Sequence, residues 1–314
     1  MAIAHGNALN ALDVSWTAIG RGETSAAKFE AATGKKPVLG GFAAHLQTRP
    51  RQSDVAVIVA LPIPELLNAT KAFIEAGARR ILVEIPGGLT VREIEDAAQL
   101  ATRTGSQIFV AYNRRFYASV TAARKLIAED GGVSSFHIDF TELVSRVLGS
   151  PKDPAILHNW FLANSSHIVD MAFFLCGEPS TLSGIATGTL DWHPPGAIFA
   201  GYGRTKNGAI FTWHADWVSA GRWGLDVRTP RRRLIFQPLE ALAVQEKSSF
   251  AISHYPIADE LDRKFKPGLY RQIEAFLSED PCSTVLATIA SHSKNVRQWC
   301  STICVPLEAL PRAS

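Results

Sequence analysis

The sequence has few cysteines and no long apolar run. Its four cysteines form no Cys-x-x-Cys pair, and we expect all four to be reduced and mostly buried. No apolar run reaches the roughly 18 residues that a membrane span requires, and the amino end does not have the pattern of a secretion signal. We therefore predict a cytoplasmic protein with no membrane partner.

The chain also lacks a strong excess of charge of either sign. It has 32 Lys and Arg residues against 29 Asp and Glu residues, and the net charge of +3 argues against a general nucleic-acid partner. With 314 residues, 46% of them hydrophobic, the chain can bury a large core and favours two domains over one. We place the domains at residues 1–117 and 118–314.

The first domain is organised around three short apolar runs with helical segments between them. The runs are Val55–Leu61, Arg80–Glu84 and Gln107–Tyr112, and the segments between them are Pro64–Ala78 and Thr90–Thr104. Short, β-branched apolar runs are typical of strands that are buried on both faces, and intervening helices make such strands parallel. The pattern predicts a Rossmann-like α/β sheet, to which the segment Val14–Ile19 would add a further short strand.

Beyond Asp130-Gly131-Gly132 the pattern changes to a period of two, broken by Gly, Pro, Asn and Asp. Such runs predict a large, mostly antiparallel sheet with one covered face, in a domain of the α+β class. The expected strands are Ser134–Glu142, Ser180–Leu190, Ile198–Tyr202, Gly208–Trp217, Trp223–Thr229 and Arg233–Phe236.

Parallel sheets place their chemistry in the loops at the carboxyl ends of the strands. Here these loops contain Leu61-Pro62, Glu84-Ile85-Pro86 and Tyr112-Asn113-Arg114-Arg115-Phe116. At these intervals the chain resembles the Gfo/Idh/MocA family of NAD(P)-dependent oxidoreductases. The expected cofactor contacts come from six residues: Arg21, Leu61, Pro62, Glu84, Pro86 and Asn113.

Two departures from the family pattern concern catalysis. Ile85 stands where the family has a lysine, and an isoleucine has no proton to exchange with a substrate hydroxyl. The family motif Asp-x-Gly-x-His-x-x-Asp is retained only at His167 and Asp170, since Ala163 replaces its first aspartate and Ser165 replaces its glycine. The resemblance implies that His167 exchanges a proton with the substrate, alone or with a neighbour such as Tyr112, Lys266 or Tyr270, while Asp170 orients it. The alternative is a buried structural histidine.

A third departure is the absence of a first strand with a Gly-x-Gly-x-x-Gly loop before the helical segment Met1–Leu12. That strand is central in the usual order, so its neighbours would each lose a hydrogen-bonding partner. Three outcomes are open: the sheet closes over the gap, another segment or chain fills it, or the natural chain begins upstream of Met1. We favour the last.

Arg21 follows the predicted strand Val14–Ile19, where an arginine accommodates the 2′-phosphate of NADP and an acid would select NAD. The expected cofactor is NADP or NAD, with NADP preferred; a solvated turn residue is the alternative reading of Arg21. His214 with Asp216 and Asp191 with His193 alternate on strands without a third ligand, so we predict no metal.

The resemblance implies a sugar-like hydroxyl or keto substrate, and we predict an oxidoreductase with altered catalytic residues. The rival hypothesis is a non-catalytic relative that serves as a sugar-binding or assembly module. The resemblance further implies a homodimer or homotetramer formed through the carboxyl-terminal sheet. The expected substrate contacts are Arg114, Asn164, Lys266 and Tyr270.

Overall fold

The computed structural model of the protein describes residues 1–278 and 285–304. The chain divides into two compact units: 1–116 with the described residues of 260–294, and 117–259 with the described residues from 295 onwards. The sequence-based division keeps 260–294 in the second domain. In the structure Leu269 and Ile273 pack against Ala8 and Leu9, which explains why this late segment joins the first unit.

The described helices are α1 Ala2–Ala11, α2 Glu23–Thr33, α3 Gly41–Thr48, α4 Leu66–Glu75, α5 Val91–Thr104, α6 Ala118–Glu129, α7 Val144–Leu148, α8 Pro154–His158, α9 Ser166–Cys176, α10 Glu260–Lys264, α11 Leu269–Leu277 and α12 Ile289–Ile303. The described strands are β1 Ala56–Val59, β2 Arg80–Val83, β3 Gln107–Val110, β4 Ser135–Asp139, β5 Pro179–Thr187, β6 Ile198–Thr205, β7 Ile210–Asp216, β8 Gly224–Arg228, β9 Arg232–Phe236, β10 Ala243–Glu246, β11 Ile252–His254 and β12 Ala287–Thr288.

The sheet of the first unit has the order β1-β2-β3-β12. β1, β2 and β3 are parallel, with Val59, Val83 and Val110 in register, and β12 runs antiparallel to β3. These three valines are at most 3% exposed, because helices cover both faces of the strands. The predicted Rossmann-like parallel sheet is confirmed.

The predicted strand Val14–Ile19 is wrong as a ladder strand. It forms a single parallel bridge, between Ile19 and Val38. Val38 N donates to Ala18 O and Gly20 N donates to Val38 O, and the chain then turns at Gly40 and Gly41 into α3. Both glycines have positive φ, a backbone conformation that ends any extension of the pairing.

The sheet of the second unit has eight strands in the order β11-β10-β9-β8-β4-β7-β6-β5. Every pair is antiparallel except β4 with β7, so the predicted large, mostly antiparallel sheet is confirmed. Aromatic side chains fill its covered face: Phe136 stacks on Phe211, and Trp217 packs against Phe199. Trp217 also donates its indole N–H to Phe140 O at 3.1 Å.

Candidate functional site

The loops that follow β1, β2 and β3 end at one edge of the first sheet, where parallel α/β sheets bind their ligands. Glu84 follows β2 directly and is fixed from the side of α1. His5 Nε2 lies 2.6 Å from Glu84 Oε1, and both side chains are buried. Since a carboxylate only accepts hydrogen bonds, His5 donates through Nε2. The contact joins residues 79 positions apart, and no local pattern could have indicated it.

Pro86 is held in the same loop by a buried hydrogen-bonded chain. The Ile85–Pro86 peptide bond is cis, and Pro86 O accepts a hydrogen bond from His292 Nε2 at 2.9 Å. Tyr112 Oη, after β3, lies 3.2 Å from His292 Nδ1, and the Tyr112 side chain is 1% exposed. The chain Tyr112–His292–Pro86 therefore ties the loops after β2 and β3 to α12.

Burial lowers the pKa of His292 to about 4, against a weaker opposing effect of the Pro86 carbonyl; Arg115 lowers it further. The ring is therefore neutral near pH 7, with its proton on Nε2. Tyr112 then donates to Nδ1, which gives the hydroxyl a defined structural partner. Its predicted catalytic role stays a prediction.

Lys266 and Asn113 meet at this edge of the sheet. Asn113 Nδ2 donates to Pro267 O at 2.9 Å, which fixes the loop between α10 and α11. The Nζ of Lys266 lies 2.8 Å from Met1 Sδ. Desolvation lowers the pKa of Lys266, Glu84 opposes that shift, and Arg114 adds to it. The structure thus brings Glu84, Asn113, Arg114 and Lys266 into one neighbourhood.

Ile85, at the position of the family lysine, is 7% exposed. Its buried aliphatic side chain supplies neither a charge nor a proton. The amine of Lys266 reaches the same loop, within electrostatic range of Glu84, from a segment 181 positions further along the chain. Sequence spacing alone could not have placed it there.

The remaining predicted residues of the first unit each have a defined local environment. Arg21 forms an ion pair with Glu65, and its side chain is 68% exposed. Leu61 is half-buried, and Pro62 precedes a short 3₁₀ turn, Ile63–Glu65. Tyr270 stacks on Phe265 with the ring centroids 5.1 Å apart.

Gly6 of α1 is not part of a phosphate cradle, in which glycines let backbone N–H groups at the start of a helix approach a phosphate closely. Gly6, inside α1, serves helix packing instead: a Cβ there would lie 2.9 Å from Thr33 and 3.2 Å from Trp16. The fit to a dinucleotide therefore rests on Pro62, Glu84, cis-Pro86 and Asn113.

A cavity of about 600 Å³ lies beside β1 in the first unit. It is lined by α1, by residues 14–21 and by the outer edge of residues 54–61. Among the three outcomes considered for the gap in the sheet, closure over the gap is contradicted. The segment 14–19 does not pair with β1, which leaves the space between the two open. The other two outcomes stay predictions.

In the second unit, His167 and Asp170 lie in the first half of α9, three residues apart and thus on one side of the helix. His167 is half-buried and Asp170 is 3% exposed. The turn before α9, Phe161–Ser165, is a π-helix, a form that is frequent at functional sites. These positions agree with the retained motif, and the proposed roles stay predictions.

Glu142, which the sequence analysis did not single out, fixes this turn. Asn164 Nδ2 donates to its carboxylate at 3.0 and 3.2 Å, and Ser165 Oγ donates at 2.7 Å. Burial raises the pKa of Glu142, and the hydrogen bonds from Ser165 and Asn164 oppose the shift. Asn164 is predicted to contact substrate, and its side-chain NH₂ group is therefore already hydrogen-bonded to Glu142. No signal in the sequence distinguishes Glu142 from other polar residues at strand ends.

Among residues 1–278 and 285–304, no group of three or more His, Cys, Asp or Glu side chains is arranged to hold a metal ion. The same residues contain no helix with the length and apolarity to cross a membrane. His193, one of the alternating histidines, instead donates from Nδ1 to Gly196 O at 2.8 Å.

No family model and no curated protein matches the chain. Among the solved structures that resemble it are two dehydrogenases and a dehydrogenase homologue. The UDP-N-acetylglucosamine 3-dehydrogenase GnnA of Acidithiobacillus ferrooxidans is 15% identical, with a TM-score of 0.71 over 97% of this chain and 93% of its own. The inositol dehydrogenase homologue of Azotobacter vinelandii, in complex with NAD⁺, is 18% identical, with a TM-score of 0.73 over 96% and 90%.

The third structure is a levoglucosan dehydrogenase in complex with NADH and levoglucosan. It is 18% identical, with a TM-score of 0.65 over 88% of this chain and 84% of its own. These neighbours are NAD-binding oxidoreductases of the Gfo/Idh/MocA type. Identities this low establish the fold, which both sheets and their strand directions support. The protein has the Gfo/Idh/MocA dehydrogenase fold, as its sequence motifs predict.

Proposed function

We propose that the protein is an NAD(P)-dependent oxidoreductase that acts on a sugar-like hydroxyl or keto substrate. The observation that carries the proposal is the grouping of Glu84, cis-Pro86, Asn113 and Lys266 at the carboxyl edge of a Rossmann-like sheet. Solved structures with this fold include complexes with NAD⁺, NADH and levoglucosan. The substrate class is taken from the names of those proteins.

A bound dinucleotide would accept or supply the hydride. Pro62, Glu84, Pro86 and Asn113 would line its nicotinamide end, as parallel sheets of this kind bind ligands beyond their carboxyl ends. Arg21 supports NADP, because its guanidinium is largely exposed and can contact a 2′-phosphate.

We assign the exchange of the substrate proton to His167, oriented by Asp170. Lys266 is a second candidate for this role, because its amine lies within electrostatic range of Glu84 and desolvation lowers its pKa below the ordinary lysine value. Arg114, Asn164 and Tyr270 are proposed to bind the hydroxyl or charged groups of the substrate. Each can donate a hydrogen bond.

The proposal is tested by titrating NADPH and NADH into the protein and following the fluorescence of the reduced nicotinamide. We expect saturable binding, with NADPH the tighter ligand. Arg21→Gln should weaken NADPH binding about tenfold, the loss of one charge-assisted phosphate contact, and leave NADH binding within twofold.

Arg103→Gln is the matched control, because Arg103 is an exposed arginine on α5 in the same unit. It should change neither affinity. The absence of binding for both dinucleotides would contradict the proposed function. An equal loss for NADPH and NADH in Arg21→Gln would contradict the preference for NADP.

A second candidate is a non-catalytic sugar-binding or assembly module. One observation favours it: Ile85 is a buried aliphatic residue at the position of the family lysine. The titration separates the two candidates, since only the oxidoreductase requires a dinucleotide.

We also propose that the protein forms a homodimer or homotetramer through the open face of the large sheet. Ile185, Tyr202 and Ile210 are 41%, 65% and 55% exposed, respectively. Tyr202 pairs with Thr212, Ile185 with Ala200 and Ile210 with Arg204 in the ladders of β5, β6 and β7. Since side chains alternate along strands, the three apolar residues project from one face. Exposed apolar groups on one face favour association.

A further inference from the structure

Glu142, in the loop after β4, is a buried carboxylate without a cationic partner in the described part of the chain. It is 6% exposed and takes part in none of the ion pairs there. Burial raises its pKa, and the groups that oppose the shift are neutral hydrogen-bond donors, namely Ser165, Asn164, Trp160 and Trp223. A buried charge is costly unless hydrogen bonds compensate it. Glu142 therefore depends on these donors, and it holds them in return.

Two of the donors belong to the π turn Phe161–Ser165, and both reach the same oxygen. Ser165 Oγ donates to Glu142 Oε1 at 2.7 Å, and Asn164 Nδ2 donates to it at 3.0 Å. Hydrogen bonds to an ionised acceptor are roughly twice as strong as neutral ones. One oxygen of Glu142 therefore anchors two consecutive residues of the turn to the loop after β4.

The backbone of this turn differs from that of an α-helix. Ser166 N donates to Phe161 O, five residues before it, whereas an α-helix would use Leu162 O, four residues before it. Leu162 O accepts a hydrogen bond from the Ser166 hydroxyl at 2.8 Å. Ser165 and Ser166 are fully buried. The polar side chains of the turn thus hydrogen-bond within the protein and stabilise the wider winding.

The winding of the turn sets the direction of the residues that follow it. A turn with one more residue between acceptor and donor rotates less per residue, so a change from π to α would rotate the side chains of α9 about the helix axis relative to β4. His167 and Asp170 lie two and five residues after Ser165, and their spacing puts them on one side of α9. The group that holds the turn therefore also sets the direction of both side chains.

We propose that Glu142 is the positioning residue of His167. Its carboxylate holds the π turn through Ser165 and Asn164, and the turn fixes the rotational setting of His167 and Asp170 on α9. The catalytic consequence rests on the proposed function, in which His167 exchanges the substrate proton. The positioning itself is independent of that assignment.

The ring of His167 serves as the spectroscopic readout. In the full chain labelled with ¹⁵N-histidine, the imidazole shifts depend on the tautomer and hydrogen bonds of each ring, and His167→Asn identifies the signals of His167. In Glu142→Ala we expect these signals to shift and the amides of residues 164–168 to exchange at least about tenfold faster than in the parent. His254, on β11, is the internal reference and should keep its shifts.

Glu142→Gln is the conservative variant, because its amide oxygen can accept from Ser165 and Asn164 at the position of Oε1. It should restore the parental His167 signals and keep the amide exchange within about threefold of the parent. Ser165→Ala removes the shorter bond and retains the carboxylate. It should shift the same signals by a smaller amount, and it provides the test if Glu142→Ala does not fold.

Asp130→Ala is the matched control for the loss of a buried carboxylate in the same unit. Asp130 is 5% exposed and accepts a hydrogen bond from Thr229 at 2.7 Å, and Arg232 lies 3.0 Å from its carboxylate. Both partners lie outside the π turn and α9. The variant should lose stability as Glu142→Ala does, but it should leave the His167 signals at their parental positions.

The positioning role is overturned if the His167 signals stay at their parental positions in Glu142→Ala and Ser165→Ala. It is also overturned if Asp130→Ala or Glu142→Gln changes these signals as much as Glu142→Ala does. NADPH titration of the same samples distinguishes this failure from a failure of the proposed function. A parent that binds no NADPH would remove the oxidoreductase, whereas His167 signals that follow the residue at position 142 would still establish the positioning.

Discussion

Gly201 shows how a single residue controls the packing of the large sheet. A Cβ at this position would lie 2.0 Å from Trp213 Cζ2 and 2.5 Å from Ser183 O, a backbone atom. Trp213 is 3% exposed and stacks on Phe211, so its ring has no space to move into within the described core. Glycine on β6 is therefore required by the tryptophan on the adjacent strand.

Gly201→Ala should lower the free energy of unfolding by about 3 kcal/mol, the upper range for overpacking. Gly224→Ala is the matched control in the same sheet, because a Cβ there would meet Gln237 Nε2 at an ordinary 3.5 Å. We expect that control to stay within about 0.5 kcal/mol of the parent. Urea unfolding at a fixed pH measures both, and equal stabilities would refute the packing account.

Tryptophans also show the limits of residue-level inference. Trp213 and Trp217 could belong to an open face or to the core by sequence alone, and the structure buries both. Period-two alternation identifies which residues share a face, but the two faces of a sheet are distinguished only when the helices that cover one of them are placed. Isolated apolar residues at alternate positions therefore predict a strand better than they predict its buried side.

At the scale of elements, the parts that the sequence predicts are those defined by local signals. The bounds of α5 follow from Thr90, whose Oγ1 accepts a hydrogen bond from Glu93 N, and from Gly105 in the left-handed conformation. β1, β2 and β3 follow from their apolar runs. The sequence does not predict β10 and β11, because both strands are short and all three residues of β11 are exposed, which leaves no apolar alternation to detect.

Contacts between distant elements could not be predicted. His292 joins α12 to Pro86 and Tyr112, which lie 206 and 180 positions away along the chain. Lys266 and Glu84 are likewise close in the structure although they are far apart in the sequence. The sequence thus predicts which loops carry the candidate site, through their position after the strands, but not the side chains that reach these loops from other segments.

The buried chain through His292 predicts a pH dependence of stability. Burial lowers its pKa from 6.5 to about 4, so between these values the folded protein binds fewer protons than the unfolded chain. The contribution of neutral His292 is complete above pH 6.5 and is lost as the pH falls towards 4. The full loss is about 3 kcal/mol.

His292→Asn should remove this component, so its free energy of unfolding should fall less than that of the parent between pH 7 and pH 4. Tyr112→Phe is the control, because it removes one hydrogen bond, worth about 1 kcal/mol, and keeps the titrating ring. Because only the neutral ring accepts that hydrogen bond, the pH dependence of this variant should be slightly shallower than that of the parent and steeper than that of His292→Asn. The free energy of unfolding is measured by urea unfolding at several pH values. If it changes with pH by the same amount in His292→Asn and in the parent, that result would be evidence against a neutral buried ring.

For the whole molecule, the open face of the large sheet is the surface through which the proposed association would occur. β5, β6 and β7 present Ile185, Tyr202 and Ile210 on one face, whereas the opposite face is filled by Phe199, Phe211 and other aromatic residues. A sheet covered on one side only leaves its apolar residues in water unless a second surface covers them. A second copy of the same sheet offers a self-complementary cover with twofold symmetry.

Tyr202→Asp should therefore dissociate the proposed dimer or tetramer, because two carboxylates would be buried against each other across a twofold axis. Tyr202 is 65% exposed in the single chain, so the stability of the separated subunit should change by no more than about 0.5 kcal/mol.

Leu148→Asp, at an apolar residue on α7 that is 48% exposed, is the control and should leave the assembly intact. Sedimentation equilibrium gives the mass in each case. A parent protein that sediments as a single chain of 34.1 kDa, or a Tyr202→Asp variant of unchanged mass, would show that this face does not mediate assembly.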